Sequence, residues 1–198
     1  MTMTLHQQQL TPSQMNANLA PFISKINTLC DLLGLDLTCY QADHIALRIN
    51  DSSLARQAHE AWASQGQVIS QAVINGRPII VMKFDSPLSA DSWSIECLEL
   101  PYPATGKIYP QQGWEHIEFV VPSKAQSVDD YLQEILTLFP VLAERWAQLE
   151  ELNVKVKLSS PQGEGERLAN PTIAFKHQGV CIKLHPYALS EIVASEQS

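Results

Sequence analysis

Basic residues are scarce in this chain: 13 Lys and Arg stand against 21 Asp and Glu, giving a formal charge of -8. Surfaces for nucleic acid or anionic membrane neutralise phosphates with clustered Lys and Arg, so neither partner is expected, although a local basic pocket is not excluded. No run of about 18 apolar residues is long enough to span a bilayer. The first Lys or Arg is Lys25, so the amino terminus lacks the basic start of a secretory signal, and a cytoplasmic protein is expected. Cysteine is also sparse. Cys30, Cys39, Cys97 and Cys181 show no CxxC spacing, which argues against a disulfide frame or zinc knuckle and predicts buried free thiols. What remains is an ordinary globular composition, with 45% hydrophobic residues in 198. That length fits one large domain or two small modules sharing a core.

Residues 1–10 are Gln-rich and read as a loose tail. Thr11-Pro12-Ser13-Gln14 then offers an N-cap, a proline at N1 and a capping-box glutamine at N3. Phe22, Ile23, Ile26, Leu29, Leu32 and Leu33 recur at helical spacing before Gly34, predicting a helical arm over 12–34 with a bend at Pro21. A strand at 43–49 follows, then a helix over 53–65 capped by Asp51-Ser52-Ser53 and ended by Gly66, then strands at 67–74, 78–84 and 93–100. From residue 114 the order restarts. A strand at 114–121 precedes a helical stretch over 127–151 broken near Pro140, and strands at 154–158, 172–176 and 180–185. The turn-rich segment 159–167 is either a lid or a plain connector. The expected fold is α+β, with tandem βαβββ modules forming a curled mixed sheet around a cavity. Its parts are a helical extension over 1–38 and modules over 39–113 and 114–198, the two modules making one structural domain.

Short sequence echoes support the duplication. Asp43-His44-Ile45 opens the first module and Glu115-His116-Ile117 the second, while Cys97-Leu98-Glu99-Leu100-Pro101 resembles Cys181-Ile182-Lys183-Leu184-His185-Pro186. Alternation along a strand puts His44 with Ala46 and Arg48, His116 with Glu118, and Glu99 with Cys97. Ile45, Leu47, Ile117 and Phe119 are left for the opposite, apolar face. If two such sheets meet about a pseudo-twofold axis, His44 and His116 come together, and Glu99 and Lys183 or His185 arrive from the last strands. A lone strand histidine is ordinarily a satisfied core or surface residue. Two in matched positions, with a carboxylate, form a ligand set for Zn, Fe, Ni, Co or Mn with positions open to an oxygen-bearing substrate. Glu96, of opposite parity, is the alternative to Glu99 should a bulge intervene. Glu118 is a general base, a partner of a ligand, or a solvated face residue. His6, His59 and His177 receive no role.

The element order, with a histidine early on each module's first strand, resembles the vicinal oxygen chelate superfamily of glyoxalases, extradiol dioxygenases, epimerases and antibiotic-resistance proteins. More narrowly, Asp43-His44-Ile45-Ala46-Leu47-Arg48, Asn75-Gly76-Arg77-Pro78-Ile79, Gly113-Trp114-Glu115-His116-Ile117-Glu118, Asn170-Pro171-Thr172 and Ile182-Lys183-Leu184-His185-Pro186 resemble the bacterial YecM family over nearly the whole chain. The superfamily resemblance implies ligand places at His44, Glu99, His116 and a fourth near Lys183 or His185. Superfamily enzymes commonly carry Glu at that fourth place, and this chain does not.

The first expectation for function is a metal-dependent isomerase, lyase or oxygenase acting on a small molecule. A divalent ion would be held by His44, Glu99, His116 and His185; Glu118 or Glu99 would move a proton, and Arg48, Arg77 and Lys183 would hold the substrate. The second is a non-catalytic small-ligand binder in the same cavity, with Trp93, Trp114 and Tyr102 stacking on the ligand. The third is an interaction domain that docks through the helical arm. Either a monomer or a homodimer suits these readings.

Overall fold

A computed structural model describes residues 3–160 and 168–196. In chain order the elements are α1 (Pro12–Ala17), α2 (Leu19–Leu33), β1 (Gln41–Arg48), α3 (Ser52–Trp62), β2 (Gly66–Ser70), β3 (Val73–Ile74), β4 (Arg77–Ala90) and β5 (Trp93–Pro101). The second half continues with β6 (Gly113–Val120), α4 (Val128–Leu138), α5 (Pro140–Arg145), a 3-10 turn (Trp146–Gln148), β7 (Lys155–Ser159), β8 (Thr172–His177), β9 (Val180–His185) and α6 (Leu189–Glu196). All the strands belong to one mixed sheet in the order β2-β4-β5-β1-β6-β9-β8-β7, with β3 paired to β4. The order is a palindrome of the two halves. In each, the first and last strands pair in parallel, β1 with β5 and β6 with β9, and the antiparallel β1–β6 pair joins the halves at the centre.

Local chemistry accounts for most helix ends. The Thr11 hydroxyl accepts from Gln14 N and the Gln14 amide oxygen accepts from Thr11 N, closing the expected capping box. At α3 and α4 the N-cap side chains of Asp51 and Ser127 accept from Leu54 N and Asp130 N. The bend expected at Pro21 falls instead at Asn18. Pro21 is the third residue of α2, within the first turn, where its missing N–H would have had no helical partner anyway. The break at Pro140 is as expected: α4 stops at Leu138 and Pro140 starts α5 at N1.

Strand β4 runs past the expected stop at Phe84 to Ala90 despite Pro87. A register irregularity between Lys83 and Leu88 accommodates the proline where no ladder bond is required, and the two-residue Asp91-Ser92 turn closes the hairpin. Helix α6 was not expected, although Leu189, Ile192 and Val193 carry helical spacing. The segment 159–167 begins inside β7 at Ser159, and 161–167 lies outside the described residues, so the choice between lid and connector does too.

Alternation along the strands sorts the two faces of the sheet. Ile45, Leu47, Ile117, Phe119, Leu98, Ile182 and Leu184 are fully buried on the core side, as parity required. Trp93 packs edge-on against Phe119, and Trp62 of α3 packs on Phe84 and Trp114. Helix α2 adds Phe22, Ile23, Ile26, Leu29 and Leu33 to the same core and touches both β4 and β9. Each such side chain contributes about 1.5–3 kcal/mol through burial, so α2 is an integral layer rather than an arm free for a partner. Cys30, Cys97 and Cys181 are buried free thiols, whereas Cys39 is exposed, contrary to expectation. No helix among the described residues is long and apolar enough to cross a membrane.

Candidate metal centre

The other side of the sheet, at the β1–β6 junction, gathers the titratable groups. The antiparallel register pairs His44 with Glu118 and Ala46 with His116, so the two histidines are diagonal neighbours across the central strands. Parallel pairing then sets Glu99 of β5 beside Ala46 and Lys183 of β9 beside Glu118. The halves match position by position: His44 faces Cys97 as His116 faces Cys181, and Ala46 faces Glu99 as Glu118 faces Lys183. Only the carboxylates break the symmetry. Where the first half has Ala46 and Glu99, the second has Glu118 and Lys183, so its carboxylate stands on the first strand and a cation on the last.

The ligating atoms of His44, Glu99, His116 and Glu118 all lie within 4.8 Å of one another. His44 Nε2 is 3.6 Å from Glu99 Oε2 and 3.4 Å from Glu118 Oε1, and His116 Nε2 is 4.0 Å from Glu99 Oε1 and 3.1 Å from Glu118 Oε1. Donors bound to a tetrahedral ion at about 2.0–2.2 Å are separated by about 3.3–3.6 Å, which these spacings bracket. Both Nε2 atoms are buried, and neither makes a hydrogen bond despite the nearby oxygens. Four donors thus point at a common centre rather than at each other. The residues fit a divalent ion, and two imidazoles with two carboxylates suit Zn, Mn, Fe, Co or Ni.

Two β-bulges orient the imidazoles. Between Ala42 and His44, and again between Ala46 and Leu47, the β1–β6 ladder loses register, leaving Asp43 and Glu115 each as an extra residue. In a regular strand each would point away from its neighbouring histidine; a bulge re-aims it. The Asp43 carboxylate lies 2.9 Å from His44 Nδ1, and Glu115 contacts His116 Nδ1. An ionised carboxylate only accepts, so both Nδ1 atoms carry the proton and both Nε2 atoms are left as electron-pair donors once deprotonated. Asp43 is itself fixed by Leu189 N at the start of α6, at 2.9 Å, and Glu115 by Arg48 Nη2 at 3.2 Å. The acid–histidine dipeptide in both halves was the sequence signal for this arrangement, and strict strand parity concealed it.

The charges reinforce one another. Burial acts to lower the pKa of His44, but the charge on Glu118 and the bonded Asp43 outweigh it and raise the value well above the usual imidazole range. His116 is also raised: Glu115 and Glu118 overcome burial and the repulsion of Lys183. Glu99, although burial acts to raise it, is held down to about 2 by His44, Lys183 and His116. Glu118 is likewise held well below the carboxylate range, and the ammonium of Lys183 sits 2.6 Å from its Oε1. Burial dominates at His185 and lowers its pKa.

The remaining expected residues spread around this group. His185 stands to one side, with Nε2 3.5 Å from Asp43 Oδ2 and Nδ1 3.8 Å from Glu118 Oε2, and both ring nitrogens lack hydrogen-bond partners. With Asp43 and His44 it forms a second group whose ligating atoms also lie within 4.8 Å of one another, beside the group that takes in Glu118. Glu96 is exposed and outside the group. Arg48 supports Glu115 and stacks on Tyr109 at 4.1 Å, so it serves the His116 side of the centre instead of facing a ligand. Arg77, Lys183 and His185 line a cavity of about 250 Å³ above the group, together with Glu99 and Glu118. Trp93 and Trp114 do not line it; their indole N–H groups donate to Leu37 O and Met15 O in the N-terminal layer, and Tyr102 is absent from the lining as well.

A duplicated α+β fold whose central strands β1 and β6, with the adjacent β5, gather two histidines and two carboxylates beside a cavity defines the class of protein. Within it, this chain belongs to the YecM family: the sequence model described as "YecM protein" matches residues 11–196. It is 38% identical over 182 residues to Protein YecM of Escherichia coli strain K12, covering 92% of each chain. An uncharacterised protein of Haemophilus influenzae strain Rd is 34% identical over 195 residues, covering 96% of each. A solved structure described as "Structural Genomics, Protein EC4020" superposes with a TM-score of 0.79 at 34% identity, covering 96% of this chain and 93% of that one.

Proposed function

We propose that this protein is a divalent-metal-dependent enzyme, of the isomerase, lyase or oxygenase kind, acting on a small molecule that presents two adjacent oxygens. The observation that carries this reading is the pair of buried, unpartnered Nε2 atoms of His44 and His116 converging with Glu99 and Glu118. A divalent ion held there would supply Lewis-acid polarisation of the two substrate oxygens. The side chains do the rest. His44 and His116 are aimed by Asp43 and Glu115 and need no rearrangement to bind. Lys183 keeps Glu118 ionised and fixes its orientation. His185, at the cavity wall with both ring nitrogens unpartnered, is equipped to hydrogen-bond a ligand bound beside Glu118. Arg77, which lines the same cavity from the start of β4, is suited to an anionic substituent.

The test is metal content after purification and after reloading with Zn, Mn, Fe, Co or Ni, in the wild type and in His44→Ala/His116→Ala. We expect one ion per chain in the wild type, and a loss of at least 100-fold in affinity in the double variant with the fold retained by circular dichroism. Equal metal content in the two proteins, or no retained ion in the wild type, would contradict the reading. In the second case, saturable ligand binding by the metal-free cavity would support the non-catalytic binder instead.

A further inference from the structure

The cavity above the metal centre runs against the electrostatic sign of the molecule. The chain carries a formal charge of -8, yet the cavity lining sets three cations, Arg77, Lys157 and Lys183, against two carboxylates, Glu99 and Glu118. Lys183 is engaged with Glu118 at 2.6 Å. The other two are not so engaged. Among the described residues the ion pairs made by Lys and Arg are Arg48–Glu115, Lys176–Glu115 and Lys183–Glu118, and neither Arg77 nor Lys157 takes part in one. Arg77 is held only by a hydrogen bond from its Nη1 to Tyr102 O, 3.1 Å long, which leaves the remaining guanidinium donors for a ligand.

The fold fixes where these cations stand. Lys157, Ala174 and Lys183 are register partners across β7, β8 and β9, so they form one row on the cavity face of the sheet. With strands about 4.8 Å apart, Lys157 begins about 10 Å from Lys183, on the side remote from the histidines. Arg77 comes from the other half, directly after the Asn75-Gly76 turn of the β3–β4 hairpin, where both residues have the positive φ that such a two-residue turn requires. Asn170, 8% exposed, also lines the cavity, and its unpartnered Oδ1 is an acceptor that calls for a ligand hydroxyl beside the anions. At about 250 Å³ the cavity lies below the roughly 300–1,000 Å³ range of sites for drug-sized ligands, so the enclosed ligand is small.

We propose that the substrate is a small organic acid bearing two anionic groups, a hydroxy- or keto-carboxylate end that meets the His/Glu centre and a second anion held at the far end by Arg77 and Lys157. This rests on the metal-dependent reading above. Arg77 reaches the far anion with paired, directional N–H donors, and Lys157 adds a flexible charge from the opposite wall. Asn170 supplies a polar contact to the connecting chain.

Calorimetric binding to protein loaded with the ion it retains tests the proposal, with three probes that share the same hydroxy-carboxylate end. Glycerate has no second anion, malate ends in a carboxylate, and 3-phosphoglycerate ends in a phosphate. We expect malate or 3-phosphoglycerate to bind at least 10-fold more tightly than glycerate, the better of the two identifying the far anion. Arg77→Gln/Lys157→Gln should reduce that preference to under about 3-fold while metal content by elemental analysis stays at the wild-type value. Loaded protein that binds all three probes equally, or none of them, would overturn the substrate assignment alone, as would a preference that survives in the double variant. A wild type that retains no ion would overturn the parent reading and this one together.

Discussion

The donor atoms of His44 and His116 depend on their neighbours Asp43 and Glu115, and removing those carboxylates separates orientation from ligation. Asp43→Asn and Glu115→Gln keep the side-chain shape but remove the charge that holds Nδ1–H in place, and loss of such partners typically costs 10–100-fold in metal affinity. Each single variant should therefore weaken binding by about that factor in a competition titration against a chelator, without abolishing it. Full-strength binding in both would show that the dipeptides serve the fold alone. Proton competition makes a second prediction. His44 and His116 have raised pKa values in the metal-free protein, so their contribution to stability is complete below the unfolded value of 6.5 and is lost as pH rises through their folded values. Glu99 and Glu118 have the opposite sign: their contribution is present above the unfolded value of 4.5 and is lost as pH falls, for Glu99 down through about 2. His185, lowered by burial, favours the folded state at higher pH. An ion must displace the protons of His44 and His116, so affinity should rise with pH above 6.5, with proton release on binding that calorimetry in buffers of different ionisation enthalpy will read. Affinity independent of pH between about 6 and 8 would contradict the assignment of those two imidazoles as ligands.

At the scale of elements, the second layer of the fold hinges on the turn after α2. Gly34 ends the helix at φ 70°, and a Cβ placed there would come within 2.3 Å of Val141 Cγ1 in α5. Gly34→Ala should combine left-handed backbone strain with displacement of Val141 and lower unfolding stability by about 2–3 kcal/mol in urea titration, leaving metal stoichiometry unchanged. A neutral substitution would mean that the α2–α5 contact yields freely. Helices α1, α3, α4 and α5 were readable from sequence because their start signals are local: Thr11, Asp51, Ser127 and Pro140 each act within four residues. Less readable were features set by tertiary partners. Strand β4 was expected to stop at Phe84, and the ladder to β5 across an irregular register keeps the chain extended past Pro87. Helix α6 had its apolar spacing in view, but its docking beside Asp43 depends on contact with β1.

For the whole molecule, the palindromic strand order means that neither half contains the complete donor set: His44 and Glu99 come from the first, His116 and Glu118 from the second. Matched histidines on two echoed strands were enough to foresee that pairing, because register on a half-buried sheet is pinned by its apolar face. The second carboxylate beside the histidines was not foreseeable by the same reasoning. Symmetry pointed to Lys183 or His185 on the last strand, whereas the carboxylate stands at Glu118 on the first strand and Lys183 neutralises it from the neighbouring position. Bulges likewise lie beyond parity arguments, since they shift Asp43 and Glu115 out of the alternation that defines a strand's two faces. On the proposed reading, one ion bridges the two halves at the β1–β6 junction. Anomalous diffraction from crystals loaded with zinc or manganese tests it most directly. We expect one strong peak at about 2.0–2.2 Å from the Nε2 atoms of both His44 and His116, with oxygens of Glu99 and Glu118 completing the set. A loaded crystal with no peak between the histidines, or with its peak on residues of one half alone, would contradict it.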